Sequence, residues 1–314
     1  MLDTAVFKRL ARNDTAQAPG HQGGIVIPMG IAKFFPPLPD KAPDGSPTVS
    51  AYLMADLFVD GRRVGRVRTR YQHQTWGGSR APERRLTGNL GALRKEATAG
   101  DCILFTKDLY DDGYIQLHLV RKDSAAHRAL HDRTGGQQWG PADPANPPVS
   151  VGEMTDAEAQ IEALAANPAF AFDENRPLTE TVTMRRARDR AFRRKLLAQY
   201  GNRCAFTDRS FAVPTGIGIF GLDAAHIVPI AAGGSDHPAN GILLTKDMHW
   251  ALDNGLIGVA PERTIYVPEA VRSMQGNGFL AALHGQKIRE AKDQGLLALQ
   301  ASFDWHRTNT LIDG

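Results

Sequence analysis

Apolar residues in the first 122 positions gather in short β-rich runs separated by turn residues, whereas helical spacing dominates later stretches. The runs Gly24-Ile-Val-Ile-Pro, residues 49–59, residues 63–71, Asp101-Cys-Ile-Leu-Phe and residues 114–120 each read as a strand. Asp60-Gly61 and Asp112-Gly113 are hairpin-type turns between such runs. Residues 31–35 and 90–96 are short helix candidates, so this part predicts a small open barrel. The pattern then breaks. Residues 135–148 are rich in proline and glycine and read as linker, and an acidic, alanine-rich helix follows over 153–166. From residue 178 an arginine-rich helix runs to Tyr200, and helical patterns recur at 279–283 and 285–299. Between them, residues 218–229 read as a strand ending in a turn, 233–238 as a loop, and 242–252 as a helix stopped by Asn254-Gly255. The predicted organisation is α+β: a β domain over 1–122, a linker with one helix over 123–177, and a second domain over 178–314.

Composition narrows the class. A chain of 314 residues with 42% hydrophobic and 23% charged residues has the make-up of a soluble protein of about two domains. No apolar run approaches the ~20 residues of a membrane span, and the first residues lack a signal-peptide pattern, so the expected location is the cytoplasm. Cys102 and Cys204 fall in different halves, which excludes a disulfide framework or a zinc ribbon and leaves two core thiols. The net charge of +3 says little, but its distribution says more. Arg62, Arg63, Arg66, Arg68, Arg70, Arg80, Arg84 and Arg85 crowd one segment, and Arg185, Arg186, Arg188, Arg190, Arg193, Arg194 and Lys195 another. Two such blocks in a nearly neutral chain predict two places that touch phosphate.

The candidate chemistry lies in the second domain. His226 ends the predicted strand, Asn240 lies in the following segment, and His249 and Asp253 are four apart on the predicted helix, so they share one face. Phosphodiester hydrolysis needs a base for the water proton, a task an imidazole on a rigid strand suits because its pKa lies near working pH. It also needs positive charge at the developing oxyanion, which a cation on mixed nitrogen and oxygen ligands supplies. Asn240 is placed to hold the loop against the strand and so fix the His226 ring.

These residues, in Ala224-Ala-His226-Ile-Val-Pro and His249-Trp-Ala-Leu-Asp253-Asn-Gly, resemble the HNH endonucleases. The resemblance runs from about Thr181, through Arg203-Cys-Ala-Phe-Thr-Asp, to Trp305-His306. It implies a ββα-metal fold with His226 as general base, Asn240 as the structural asparagine, and His249 and Asp253 at the metal. The implied cofactor is a divalent cation, Mg²⁺ or Mn²⁺, with Zn²⁺ and Ni²⁺ as alternatives. Many relatives carry a further ligand directly before the base, where this chain has Ala225; Asp223, on the same strand face, or water would take that duty.

In the first domain, residues 69–87 mix arginine, glutamine, histidine, glutamate and aromatics in what reads as a Gly/Pro-rich loop. Arginine and glutamine read guanine and adenine edges, and glutamate accepts from cytosine, while neighbouring arginines hold phosphates. Arg9-Leu-Ala-Arg-Asn-Asp-Thr, with residues 20–31 and the run Arg80-Ala-Pro-Glu83-Arg84-Arg85-Leu-Thr, is similar to the N-terminal DNA-binding domain of the EcoRII restriction enzyme. The similarity covers about residues 5–121 and implies a B3-like pseudobarrel that grips duplex DNA between two arms. One arm is residues 15–23, including His21; the other is residues 76–85, including Trp76, Arg80, Glu83, Arg84 and Arg85, with Arg70 beside it. The expectation is a restriction or host-defence endonuclease acting on double-stranded DNA. One version cuts unmodified sites beside a partner methyltransferase; the other cuts only modified DNA, with Trp76 and Tyr71 as candidate walls for an extruded base. One HNH site per chain needs a homodimer, or two visits, to cut both strands. The rival from another class is a DNA-binding regulator whose HNH fold is structural and inactive.

Overall fold

The computed structural model describes residues 3–17, 23–39, 46–75, 81–108, 113–173, 181–211 and 221–312. The expectations for His21, Trp76, Arg80 and Asp112 concern residues outside these. The chain is α+β and divides into two compact units, Met1–Glu153 and Met154–Gly314.

The first unit is built on eight strands: β1 (Val6–Arg9), β2 (Ile25–Ile27), β3 (Thr48–Val59), β4 (Arg62–Gln74), β5 (Glu83–Thr87), β6 (Cys102–Lys107), β7 (Tyr114–Val120) and β8 (Trp139–Pro141). They form one curled sheet in the order β2-β5-β4-β3-β7-β6-β1-β8, antiparallel throughout except for β3 beside β7. Two helices, α1 (Gly91–Glu96) and α2 (Ala125–Arg133), complete the unit. The β3–β4 hairpin turns on Asp60 and Gly61, both at positive φ (48° and 76°), the two-residue turn whose twist matches that of its strands. Alternation sorts the faces. Leu53, Ala55, Leu57 and Val59 of β3 are buried with Tyr71, Leu86, Ile103, Phe105 and Leu117 inside the curl. A 3-10 turn at Met29–Phe34, where a short helix was expected, brings in Phe34 and, just beyond it, Phe35, which stacks on Tyr71 with centroids 5.0 Å apart.

The linker predicted from residue 123 does not begin there. Ser124 caps α2 by accepting from His127 N, and Leu130 packs with Phe7, Cys102 and Ala142 on the outer face of the sheet. Trp139–Pro141 then adds β8 to the edge of β1. A three-residue strand in a Pro/Gly-rich segment carries no periodicity, so only the waiting edge reveals it. Of the described residues in 69–87, expected as a Gly/Pro-rich loop, most are strand, because β4 runs to Gln74 and β5 starts at Glu83.

On the outer face Asp56 accepts from Arg66 Nε and Nη2 at 2.6 and 2.8 Å and from the Tyr114 hydroxyl at 2.8 Å. The Arg66 hydrogen bonds hold its carboxyl below the ordinary range, against the opposing effect of burial. A depressed folded-state pKa gives stability that is present above the unfolded value of about 3.9 and fades as pH falls through the folded one. Asp56→Asn is therefore expected to cost about 1–3 kcal/mol at pH 7, with the gap to the parent shrinking below about pH 4. Urea melts at pH 7 and pH 3 check this, and an equal gap at both would remove the charge from the account.

The second unit opens within α3 (Val151–Ala165), whose first three residues belong to the first unit. It continues with α4 (Val182–Tyr200), β9 (Leu222–His226), β10 (Gly241–Thr245), α5 (Lys246–Asp253), β11 (Gly258–Val259), β12 (Ile265–Tyr266), α6 (Glu269–Arg272), α7 (Gly278–Leu283) and α8 (Gln300–Asn309). Thr181 caps α4 and Gly201, at φ 61°, ends it. Ala187, Ala191, Phe192, Leu196 and Tyr200 form its buried stripe. β9 and β10 pair antiparallel, with His226 opposite Gly241, and α5 starts directly after β10. The helix predicted from residue 242 thus begins at Lys246. Ile242, Leu243 and Leu244 are all fully buried, and a strand covered on both faces shows no alternation to tell it from the helix it feeds. Residues 285–299 form no long helix; a 3-10 turn at Gln294–Leu296 precedes α8.

Candidate active site

His226 ends β9, with its ring half-sandwiched and its far edge held. The Phe192 ring of α4 lies flat against it, centroids 4.1 Å apart and planes 2° from parallel. Asp236 Oδ1 sits 3.0 Å from Nε2. Asp236 is buried and its other oxygen is 3.4 Å from Arg188 Nη1. An ionised carboxylate accepts only, so it draws the imidazole proton to Nε2 and leaves the Nδ1 lone pair as the basic site. The stacking depends on Gly241. A Cβ there would stand 2.4 Å from Phe192 Cζ and 2.7 Å from Leu196 Cδ1, so only glycine lets α4 lie this close to the ladder.

Asn240 is fully buried and works as a clamp. Its Oδ1 accepts from Val228 N at 3.1 Å, while Nδ2 donates to Val228 O at 3.1 Å and Ser235 O at 2.9 Å. Its own carbonyl accepts from Ile227 N. The loop leaving His226 is thereby tied at Val228 and at Ser235 to the residue just before β10, and Asp236 follows Ser235 immediately. Gly234 lets the loop close, since a Cβ would lie 1.9 Å from Val228 O.

The other predicted residues form a second group. His249 lies between two carboxylates: Asp223 Oδ2 is 3.6 Å from Nδ1, and Asp253 Oδ2 is 3.4 Å from Nε2. The adjacent Asp223 carboxylate raises the His249 pKa above its ordinary value, with burial opposing, and the His249 ring in turn holds Asp223 low. Lys246 also reaches Asp223, at 3.4 Å. Strand β9 thus bears both groups, with His226 in one and Asp223 in the other.

The two carboxylates beside His249 meet it at different ring nitrogens. Among the described residues no cluster of three or more His, Cys, Asp or Glu side chains converges as a complete metal shell would. The donor chemistry still fits a divalent cation held by few protein ligands and completed by water and phosphate oxygens. One carboxylate and one imidazole nitrogen face each other twice here, and a metal-bound histidine commonly gives its other N–H to a carboxylate.

The predicted DNA-reading residues are placed as follows. Glu83 and Arg85 pair with each other, Arg85 being buried, and Arg84 Nη1 donates to the Tyr71 hydroxyl at 3.2 Å. Arg70 projects from β4 opposite Tyr52 of β3. Tyr71 is fully buried in the core, so it is a packing residue and not a wall for an extruded base. The second basic block is mostly absorbed by structure. Arg194 and Lys195 pair with Glu158 and Glu162 of α3, Arg188 reaches Asp236, and Arg190 and Arg193 are buried. Asp236, Phe192 and Arg188 are the site residues that sequence spacing missed. Asp236 is one polar residue of a loop, and nothing in the spacing says which loop carboxylate folds back on the strand.

Comparison with known proteins agrees with this division. Residues 204–260 match the family model described as HNH endonuclease, and residues 2–135 match that described as restriction endonuclease EcoRII, N-terminal. The chain therefore carries an EcoRII-N-type domain followed by an HNH-type domain. Among solved structures it is similar to a protein described as "Modification dependent TagI restriction endonuclease", at 16% identity and a TM-score of 0.31 over 43% of this chain. The aligned part spans 40% of that chain. No curated protein matches. Among the described residues no helix is long and apolar enough to cross a membrane.

Proposed function

We propose that the chain is a restriction-type DNA endonuclease in which the EcoRII-N-type unit selects the site and the HNH-type unit hydrolyses the phosphodiester. The observation that carries the reading is the His226–Asp236 contact, seated within the segment that matches the HNH family model. In this reading His226 Nδ1 takes the proton of the attacking water. Asp236 fixes the tautomer and stabilises the imidazolium that results, the role a carboxylate plays behind a histidine base. Asn240 keeps the loop and ring in register. Asp223 and His249 Nδ1 would hold a divalent cation, with Asp253 accepting from Nε2 to orient the ring. When bound, the cation supplies positive charge to the scissile phosphate.

This assignment ranks the ligands. Asp223→Ala is expected to raise the Mn²⁺ concentration for half-maximal cleavage by more than tenfold, and Asp253→Ala by less, since the latter acts through the His249 ring. Mn²⁺ titration of cleavage separates them, and equal or reversed effects would exchange the two carboxylates.

The division of labour is tested with the two units made separately, residues 1–153 and 154–314. The first is expected to bind duplex DNA selectively without cutting, and the second to have lost site preference. Competition gel shifts decide it; selectivity that follows the second fragment overturns the assignment. Cleavage of unmodified, 5-methylcytosine and 5-hydroxymethylcytosine DNA by the full chain, with Mg²⁺ or Mn²⁺, distinguishes a modification-dependent enzyme from one needing a partner methyltransferase. No cleavage of any of the three would support the regulator with an inactive HNH fold.

A further inference from the structure

We infer that residues 167–173, read from the sequence as linker, form a strap that positions Asp236 behind His226, acting through Ser235 and His237. The inference rests on the assignment of His226 as the base. Within the second unit the strap leaves the end of α3 and pairs antiparallel with the loop between β9 and β10. Phe172 bridges Gly234, Asp173 N donates to Gly233 O at 3.0 Å, and Ser235 N donates to Ala171 O at 2.9 Å. Asp236 thus sits between two residues that turn to the strap. Ser235 Oγ donates to Phe170 O at 2.7 Å and accepts from His237 N at 3.3 Å. The His237 ring meets Phe170 edge-on, centroids 5.3 Å apart. Its Nδ1 accepts from Ala239 N at 3.0 Å, and burial lowers its pKa, so the ring is neutral with its proton on Nε2. That nitrogen donates to Asn167 O, just past the end of α3, at 3.3 Å.

The polar groups of Ser235 are divided between two holds. Its carbonyl accepts from Asn240 Nδ2, while its N–H and hydroxyl go to the strap. Ser235 and His237 are both fully buried, so water does not compete for these bonds. Arg188 reaches one carboxylate oxygen of Asp236, and the strap fixes the backbone beneath it. The other oxygen then meets His226 Nε2 at 3.0 Å from a chain anchored on either side. A misplacement of about 1 Å, even one that starts away from the chemistry, can cost about 10²-fold in rate. Ser235 and His237 are therefore positioning residues that work through Asp236.

The test uses the full chain. Ser235→Ala removes the hydroxyl link and keeps the N–H one. His237→Asn keeps an acceptor for Ala239 N, since asparagine caps helix N-termini well, but it is too short for Asn167 O and carries no ring for Phe170. Phe170→Leu, on the half-buried strap itself, guards against misfolding of the two loop variants. Single-turnover cleavage is expected to fall about 10–100-fold in the loop variants at unchanged duplex affinity, with Phe170→Leu between them and the parent. In an Asp236→Ala background each should cost less than about twofold further, because its effect passes through that carboxylate. Equal losses in both backgrounds would make the strap a general support and overturn the inference. Nitrogen-15 spectra of histidine-labelled protein give a readout independent of cleavage. The His226 Nε2–H signal, identified by its loss in His226→Ala, is expected to weaken in all three variants. Spectra matching the parent in every variant that folds overturn the inference as well. If His226→Ala cleaves like the parent, the base assignment fails, and the spectra alone then decide whether the strap holds the ring.

Discussion

Replacing His226 with alanine is expected to suppress DNA cleavage by roughly 10²–10⁴-fold, the range typical for loss of a positioned base, while folding and DNA binding persist. The His226 ring keeps part of its surface exposed and meets its neighbours through the Asp236 contact and the Phe192 stack, so among these contacts its removal takes away a single buried polar one, at Asp236 Oδ1. Single-turnover cleavage and gel shifts on one preparation separate the two effects, and cleavage within about twofold of the parent would end the assignment. Asp236→Asn gives the companion result. The amide keeps the shape of the carboxylate but can present its N–H to Nε2, which favours the other tautomer and removes the charge behind the imidazolium. Cleavage should fall at unchanged DNA affinity.

The largest stability effect is expected at Asn240. Alanine there leaves Val228 N, Val228 O and Ser235 O without their side-chain partner in a fully buried setting. With about 1–3 kcal/mol for each buried polar group left unpaired, partial relaxation still leaves a cost of roughly 3–5 kcal/mol. That corresponds to a fall on the order of 10 °C in the melting temperature of the second unit. Asn240→Asp is a sharper probe. It keeps the acceptor for Val228 N but turns an oxygen toward two carbonyl oxygens, so it should also destabilise despite its identical shape. Scanning calorimetry would show both, and a melting temperature within about 1 °C of the parent for both would remove the clamp from the account.

What could be read from the sequence was whatever repeats or announces itself locally. The alternation of β3 and the Asp60-Gly61 turn are short-range signals, and the structure follows both. The spacing of His226, Asn240, His249 and Asp253 located the ββα segment because it is contiguous in the chain. The failures share one cause, which is that the deciding partner lies elsewhere. Tyr71 looked like an accessible aromatic until Phe35 covered it. The arginines of α4 looked like a DNA-facing block, but α3 carries the glutamates that take up Arg194 and Lys195. Asp236 acquires meaning only once the Asn240 clamp folds its loop back to His226. For the same reason, residues 242–245 could not be separated from α5, since β9 alone supplies their ladder.

The strand at Trp139–Pro141 bears on how the first unit can be moved between proteins. β8 occupies the outer edge of β1. A graft cut at residue 122, where the β-rich pattern fades, would bare a row of unpaired amides and carbonyls along β1, together with the apolar surface that α2 covers. Exposed strand edges of this kind recruit other chains. A transplantable piece is therefore expected to end near residue 153, so that the Pro/Gly-rich stretch stays in place over the β1 edge.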